Sequence, residues 1–312
     1  PDYPYPPDQG CKRDIWSHIE FFHNTGWHVI LVLSKPGNPE KININQVSFP
    51  ININYHYVPR NPHWSHSESF DTISSMQSLI DFYQPQVVWC EYAHFSSLVN
   101  LLNIHNAKLW FRSHNFELAH AFEKILAERP WKRWFQDRSI KAPLRWTKSK
   151  INLLTSIFFK ERLMHKIADH IFFISYGDLK AMSKLYSTSK PKDWVLPFIK
   201  SEVIPVKNNK SHLDVIYLGV VNSGAIPNQI GAYLLLEKII PAIEQKIPNT
   251  FHFHLVGKGM SQLFGHYAST SVVIHDYVED LDQFLINIDI SCVPVNLGWG
   301  CKIKMIEALA CG

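Results

Sequence analysis

Val293-Pro-Val-Asn-Leu-Gly-Trp-Gly-Cys-Lys-Ile-Lys-Met-Ile-Glu-Ala308 reads as the end of a strand, a glycine-bearing loop and the start of a helix that runs to Ala310. Gly298 and Gly300 allow another group to approach the backbone closely. Two lysines, Lys302 and Lys304, fall in the first turn of the helix. Positive charge there opposes the helix macrodipole and costs stability. The placement makes sense if an anion sits at the helix start, where N–H groups, dipole and ammonium groups all meet it. At about 100° per residue, Lys304, Glu307 and Cys311 share one face, and Ile303, Ile306, Leu309 and Ala310 lie on the other. A cation and a carboxylate on one face can grip a phosphate and a ribose hydroxyl. The same spacing also suits a plain surface pair between Lys304 and Glu307.

The strand–loop–helix unit recurs upstream. Asp214-Val-Ile-Tyr-Leu218 is a strand ending at Gly219, and a helix from Pro227 to about Gln245 follows. Phe251 to Val256 is a strand before Gly257-Lys258-Gly259. Residues 271–274, 281–286 and 288–293 continue as strand, helix and strand. The first half shows the same order. Strands are expected at 28–33, more weakly at 51–59, and at 86–90, 107–111, 170–174 and 194–196. Helices are expected at 71–83, stopped by Pro85, at 96–104, and at 178–186. A long helical stretch from 117 to 168 should be broken at Pro130 and Pro143. Residues 201–211 are polar and turn-rich and mark the boundary. The expectation is two doubly wound α/β domains in series, 1–200 and 201–312.

Composition excludes several classes. Hydrophobic residues make up 46% and charged residues 19%, which argues against long disorder. Five cysteines (11, 90, 292, 301 and 311) include no CxxC pair, so neither a disulfide scaffold nor a zinc module is expected. No apolar run approaches the roughly 18 residues that span a bilayer. The net charge of +4 is uneven: residues 124–166 carry twelve Lys/Arg against three acids. Trp131, Trp134 and Phe135 fall on one helix face within that stretch, and Trp146 follows. The pattern suits an anionic membrane surface, or helices packed on the first domain with a solvated basic side. No nucleic-acid module accompanies the charge.

In open α/β sheets, ligands bind outside the carboxyl ends of the strands. That rule singles out His114 in Arg112-Ser-His-Asn115, as a group that bonds a substrate hydroxyl or moves a proton. The alternative is that Ser113 or Asn115 caps the next helix and His114 stands by. Gly219 to Gly224 could wrap a phosphate but is not GxGxxG. The close pairs His63/His66 and His252/His254 lack a third ligand at a helpful spacing and read as structural or surface histidines, so no metal is expected.

Several segments resemble the GT-B glycosyltransferases, more narrowly the family 4 branch. They are Tyr217-Leu-Gly219 with Pro227-Asn228 and Pro241, Leu255-Val-Gly-Lys-Gly259, and Gly298-Trp-Gly-Cys-Lys-Ile-Lys-Met-Ile-Glu-Ala-Leu-Ala-Cys-Gly312. Upstream, Arg112-Ser-His-Asn-Phe-Glu117 is similar to the family's "HN.E" segment, and Ala168-Asp169 with Ile174-Ser175 to its "aD.v..vS" segment. The resemblance implies two Rossmann-like domains facing a cleft, the second holding a nucleoside-diphosphate sugar and the first an acceptor, either a glycan or a lipid-linked molecule. It implies a retaining hexosyltransferase of polysaccharide biosynthesis that needs no metal or other cofactor. Glu307 would hold the ribose, Lys302 and Lys304 the diphosphate, and Gly219 and Gly300 would line the donor side. His114 would contact the donor sugar near the reacting carbon, and Gly10 would line the acceptor side. Together with the basic segment 124–166, this places the enzyme in the cytoplasm, peripheral at a membrane. Two features depart from the family pattern. Trp299 stands where an E-x7-E pattern has its first acid, and Gly219 to Gly231 holds no Arg or Lys. The rival readings are a sugar-nucleotide epimerase and a nucleotide-sugar-binding protein without catalysis. Starting at Pro1 and ending in a helix-to-strand turn, the chain reads as cut at both ends, with a first strand missing.

Overall fold

Each expected strand–helix alternation becomes a parallel ladder because the crossover helices bury the sheet faces. The computed structural model describes residues 4, 10–36, 49–60, 68–127, 141–198, 211–221, 225–295 and 297–311. It divides into two units: Pro1–Phe198 with Trp299–Cys301, and Ile199–Gly298 with Lys302–Gly312. The boundary segment, residues 1–3 and 5–9, and Trp131, Trp134, Phe135, His63 and His66 lie outside the described residues.

The first unit opens with α1 (Gly10–Asn24), β1 (Ile30–Pro36) and β2 (Asn54–Arg60), the two strands paired in parallel. Helix α2 (Phe70–Tyr83) starts where Ser69 Oγ accepts from the Thr72 N–H. It ends at Gln84, left-handed at φ 44°, just before Pro85. Then come β3 (Val87–Cys90), α3 (Ser96–Leu101), β4 (Lys108–Ser113), α4 (Glu117–Ala127), α5 (Lys141–Ile167), β5 (His170–Phe173), α6 (Tyr176–Tyr186) and β6 (Lys192–Trp194). Strands β3 to β6 form one parallel sheet in chain order. Phe111, Ile171 and Phe173 are buried in it against Met164 of α5 and Met182 of α6.

Local chemistry differs from expectation at two places in this unit. Pro143 falls within the first turn of α5, where its missing N–H costs nothing, so it does not interrupt the helix. The start of α4 is capped neither by Ser113 nor by Asn115. Glu161, fully buried on α5, accepts from the Glu117 N–H at 2.8 Å and from the Leu118 N–H at 3.4 Å. Tyr186 Oη donates to the same carboxylate at 2.6 Å.

Residues of β1 and β3 both line an apolar cavity of about 920 Å³, together with Ile19, Phe22, Leu79 and Leu98. The two strands belong to different sheets, and neither pairs with the other. None of the sequence-selected site residues lines this cavity.

The second unit runs β7 (Leu213–Leu218), α7 (Ile226–Leu234), α8 (Ile240–Lys246), β8 (Phe251–Val256), α9 (Met260–Phe264), β9 (Val272–His275), α10 (Leu281–Leu285), β10 (Ile290–Ser291) and α11 (Ile303–Ala310). Its parallel sheet has the order β10-β7-β8-β9. The helix expected from Pro227 to Gln245 is not continuous: Leu235–Ile239 widens into a π-helical turn. Pro241 lacks the N–H that an α-helical bond to the preceding turn needs, and the wider turn accommodates the loss. The last strand is also shorter than the expected 288–293, since only Ile290 and Ser291 pair with β7.

Behind β7 and β8 the backbones close up. A Cβ on Gly257 (φ +151°) would collide with the carbonyl group of Gly219. Gly257→Ala is therefore expected to destabilise the chain by about 1–3 kcal/mol through overpacking. Urea denaturation checks this, and an unchanged midpoint would contradict the close approach.

Candidate functional site

In the first unit the carboxyl ends of β3 and β4 carry a buried network of charges. Arg112, 1% exposed, donates from both terminal nitrogens to Asp14 of α1, at 2.7 and 2.9 Å. Asp14 is fully buried, and Glu91, just after β3, approaches the same guanidinium at 3.5 Å. His114 is buried at 5% exposure. Its Nε2 lies 2.6 Å from Glu91 Oε2, its Nδ1 lies 3.8 Å from Asp14 Oδ2, and Tyr92 stacks on its ring at 4.6 Å. His18 Nδ1–H donates to the Asp14 carbonyl at 2.7 Å. Burial and the Arg112 charge hold the His18 pKa below its usual value.

Glu91 shows which effect wins. Burial pushes its carboxyl pKa up, but the hydrogen bond and charge of His114, helped by Arg112 and His18, reverse this and hold it at about 2. Glu91 is thus an anion at neutral pH, and His114 is held in one orientation by it. The helix cap lies elsewhere, at Glu161, and His114 is bonded to Glu91 instead. Gly10, the other first-unit residue selected from sequence, opens α1, the helix that supplies Asp14.

Gly300, selected from sequence for the donor side, packs with this unit. Its φ is +79°, and a Cβ there would strike the Asn115 side chain and the His114 carbonyl. Its N–H donates to Asp178 Oδ1 at 3.2 Å. Trp299 packs edge-on against Phe116 at 5.1 Å and donates from Nε1 to Glu123 at 3.0 Å. Here an indole therefore hydrogen-bonds an acid where the family pattern puts an acid itself.

In the second unit the structure brings Gly219 and Lys304 together. Lys304 Nζ donates to Asn228 Oδ1 at 2.9 Å and lies 4.8 Å from the Tyr217 ring centroid. A Cβ on Gly219 would sit 3.1 Å from that same Nζ, so the missing side chain leaves room for the ammonium. Burial, with a smaller contribution from the Lys302 charge, lowers the Lys304 pKa to about 8 against the attraction of Glu307. Lys302 is the N-cap residue of α11 and not inside its first turn. Its Nζ folds back to the Gly298 carbonyl at 2.7 Å. Glu307 is buried at 9% exposure, not part of a surface pair. Residues 222–224 of the loop after Gly219 lie outside the described residues.

Sequence reasoning missed Asp14, Glu91, Tyr92 and Asn228. The strand-end rule that selected His114 applies equally to Glu91 and Tyr92, which follow β3. Asn228 stands in the quoted Pro227-Asn228 pair but was given no role.

Residues 215–312 match the sequence model of the family Glycosyl transferases group 1. No curated protein sequence matches the chain. Among solved structures, sucrose-phosphate synthase from Thermosynechococcus elongatus is similar at 14% identity and a TM-score of 0.65, over 97% of this chain and 74% of that one. Anabaena HepE is similar at 9% identity and 0.58, over 96% and 75%. TarM is similar at 13% identity and 0.54, over 78% of this chain, which spans only 44% of TarM. The chain has the GT-B glycosyltransferase fold.

The charge network of this GT-B first unit makes a pH prediction. The folded pKa of Glu91 lies below its ordinary 4.5. Its contribution to stability is therefore complete above that value and is lost as pH falls towards 2. Urea midpoints followed from neutral pH downward should fall in that window for the wild type and less steeply for Glu91→Gln. Equal slopes would show that Glu91 is not held as an anion.

Proposed function

We propose that the chain is a glycosyltransferase that moves a hexose from a nucleoside-diphosphate donor to a glycan or lipid-linked acceptor. The observation that carries this reading is Lys304: a half-buried ammonium at a helix start, with its pKa lowered to about 8 even with Glu307 nearby. Such a group is costly alone and favourable against an anion. The match of this unit to the glycosyltransferase model and the likeness to HepE, crystallised with UDP and glucose, support a nucleotide diphosphate as that anion.

In this reading Lys302, Lys304 and the N–H groups of α11 stabilise the diphosphate as it leaves. Cationic groups already fixed for that task make a metal at the diphosphate unnecessary. Glu307 accepts from the ribose hydroxyls, and Gly219 leaves room for the phosphates beside Lys304. In the first unit, His114 meets the donor sugar near the reacting carbon, and the segment at Gly10 lies on the acceptor side. Transfer proceeds with retention at the anomeric carbon, as the family resemblance implies.

Calorimetry with UDP and GDP tests the site. Lys304→Ala and Glu307→Ala should each weaken binding at least tenfold, and undiminished affinity in both would overturn the placement. A bound diphosphate raises the Lys304 pKa, so binding should take up protons near pH 8 and weaken as pH climbs past it. Calorimetry in buffers of different ionisation enthalpy reads that uptake directly.

Helix α5 supports work at a membrane surface. Arg145, Lys148, Ile151, Phe159, Arg162 and Lys166 are all exposed on it, mixing cations with bare apolar side chains. Among the described residues no helix is long and apolar enough to cross a membrane. Contact with anionic lipid through this stripe is the proposed mode. In liposome flotation, binding to anionic vesicles at low salt should weaken as salt rises. No flotation at low salt would remove the membrane from this reading.

A further inference from the structure

At the opposite end of β7 from Gly219, three histidines gather around one carboxylate and a fourth adjoins them. Asp214 Oδ1 has the His212 Nε2 at 3.7 Å, the His252 Nδ1 at 4.0 Å and the His254 Nε2 at 3.1 Å. His254 Nδ1 in turn lies 3.3 Å from His275 Nε2. The cluster follows from strand register. Asp214 pairs with His252 across the parallel β7–β8 ladder. His212 lies two residues before Asp214, and His254 two residues after His252, so all four side chains share one face. The spacing of His252 and His254 along the chain offered no third ligand. The fold supplies two, from a strand some forty residues earlier.

We propose that His212, Asp214 and His252 form a binding site for a divalent transition metal of the zinc class. One ligand atom from each of these residues lies within 4.8 Å of the others. Bonds of about 2.0–2.2 Å in a tetrahedral site put donor atoms ~3.3 Å apart. Separations of up to 4.8 Å close to that value when facing side chains share a movement of about 1.5 Å. The rings of His212 and His252 already stack at 3.8 Å, so both imidazoles reach the same side of Asp214.

The surroundings supply what a metal ligand needs behind it. With His275 Nε2–H donating to His254 Nδ1, the His254 Nε2–H donates to Asp214 Oδ1. That relay orients the carboxylate from behind. Burial and the neighbouring His254 hold the His275 pKa below its usual value, which suits a neutral donor. Two imidazoles and one carboxylate form a borderline donor set. It selects zinc, cobalt, nickel or copper over magnesium and calcium, which prefer oxygen alone. Asp214 precedes Gly219 by five residues, about 16 Å of strand at ~3.3 Å per residue. The metal would therefore act structurally, clamping the starts of β7 and β8, and not on the leaving diphosphate. Neither proposal depends on the other.

The test is metal titration of the full chain after chelator treatment and dialysis. Zn2+ calorimetry should show one saturable site, and Co2+ should give the visible d–d absorption of a four-coordinate ion with nitrogen and oxygen ligands. Zn2+ should also raise the thermal midpoint. Asp214→Asn and His212→Gln should each lower the affinity at least tenfold and abolish the Co2+ spectrum. His254→Gln should lower it less. His212 precedes its strand, so His212→Gln tests the site even if Asp214→Asn fails to fold. Absence of binding in the wild type overturns the proposal. So does a wild-type affinity and Co2+ spectrum in His212→Gln, which would place the ion elsewhere.

Discussion

A guanidinium at 1% exposure must be answered by carboxylates, and the first unit is arranged around that requirement. Arg112 lies at the end of β4, and Asp14 comes from α1, nearly a hundred residues away. Their bidentate pair fixes the opening helix onto the end of the sheet. Removing one partner of such a pair typically costs about 3–5 kcal/mol, because the other charge is left buried and alone. Glu91 enters as a second anion and passes the constraint on to His114 at 2.6 Å. With Tyr92 stacked on its other side, the imidazole has little freedom left. In the proposed function such a group meets the donor already oriented, and orientation is a large part of what a site contributes to rate.

The second unit follows the opposite electrostatic plan. In the first, every buried charge of the network faces a charge of opposite sign. In the second, Lys304 is half-buried beside Asn228 and the Tyr217 ring, and the attraction of Glu307 does not offset the cost of its partial burial. The close approach of Gly219 and Gly257 brings the β7 and β8 ends together and keeps side chains out of that space. The Arg112 network is thus closed, holding a histidine still. Lys304 is answered by neutral partners. That difference agrees with the proposed function, in which one unit orients a reacting group and the other receives a diphosphate.

The parallel α/β plan was legible because it rests on local pattern: apolar runs of strand length, helical periods, and stops such as Pro85. Most of the features that failed to show in the sequence depend on partners distant in the chain. Glu161 caps α4 from forty-four residues downstream, so Ser113 and Asn115 looked like the candidates. Gly300, read as a donor-side residue from its place in a glycine-rich loop, packs against His114 and Asn115 because its φ of +79° admits them. His212 and Asp214 were unremarkable until the β7–β8 register set them beside His252. The π-helical turn before Pro241 was readable in principle, since a proline inside a helical run always removes one hydrogen bond. Glu91 was also within reach, because the strand-end rule applied to His114 covers it equally.

The two lysines at the start of α11 show how far a conflict in the sequence survives folding. Cations at a helix N-terminus are disfavoured by the macrodipole, and the structure relieves part of that cost locally. Lys302 leaves the helix as its N-cap and turns its ammonium onto the Gly298 carbonyl, a favourable acceptor. Lys304 finds the Asn228 side-chain oxygen and an aromatic face. These partners are neutral, so they solvate the charge without cancelling it, and its pKa remains low. A fold selected for stability alone would place a second carboxylate or an uncharged side chain at Lys304. A half-compensated cation beside a side-chain-free Gly219 is what the proposed diphosphate site requires, the missing charge being supplied from outside the chain.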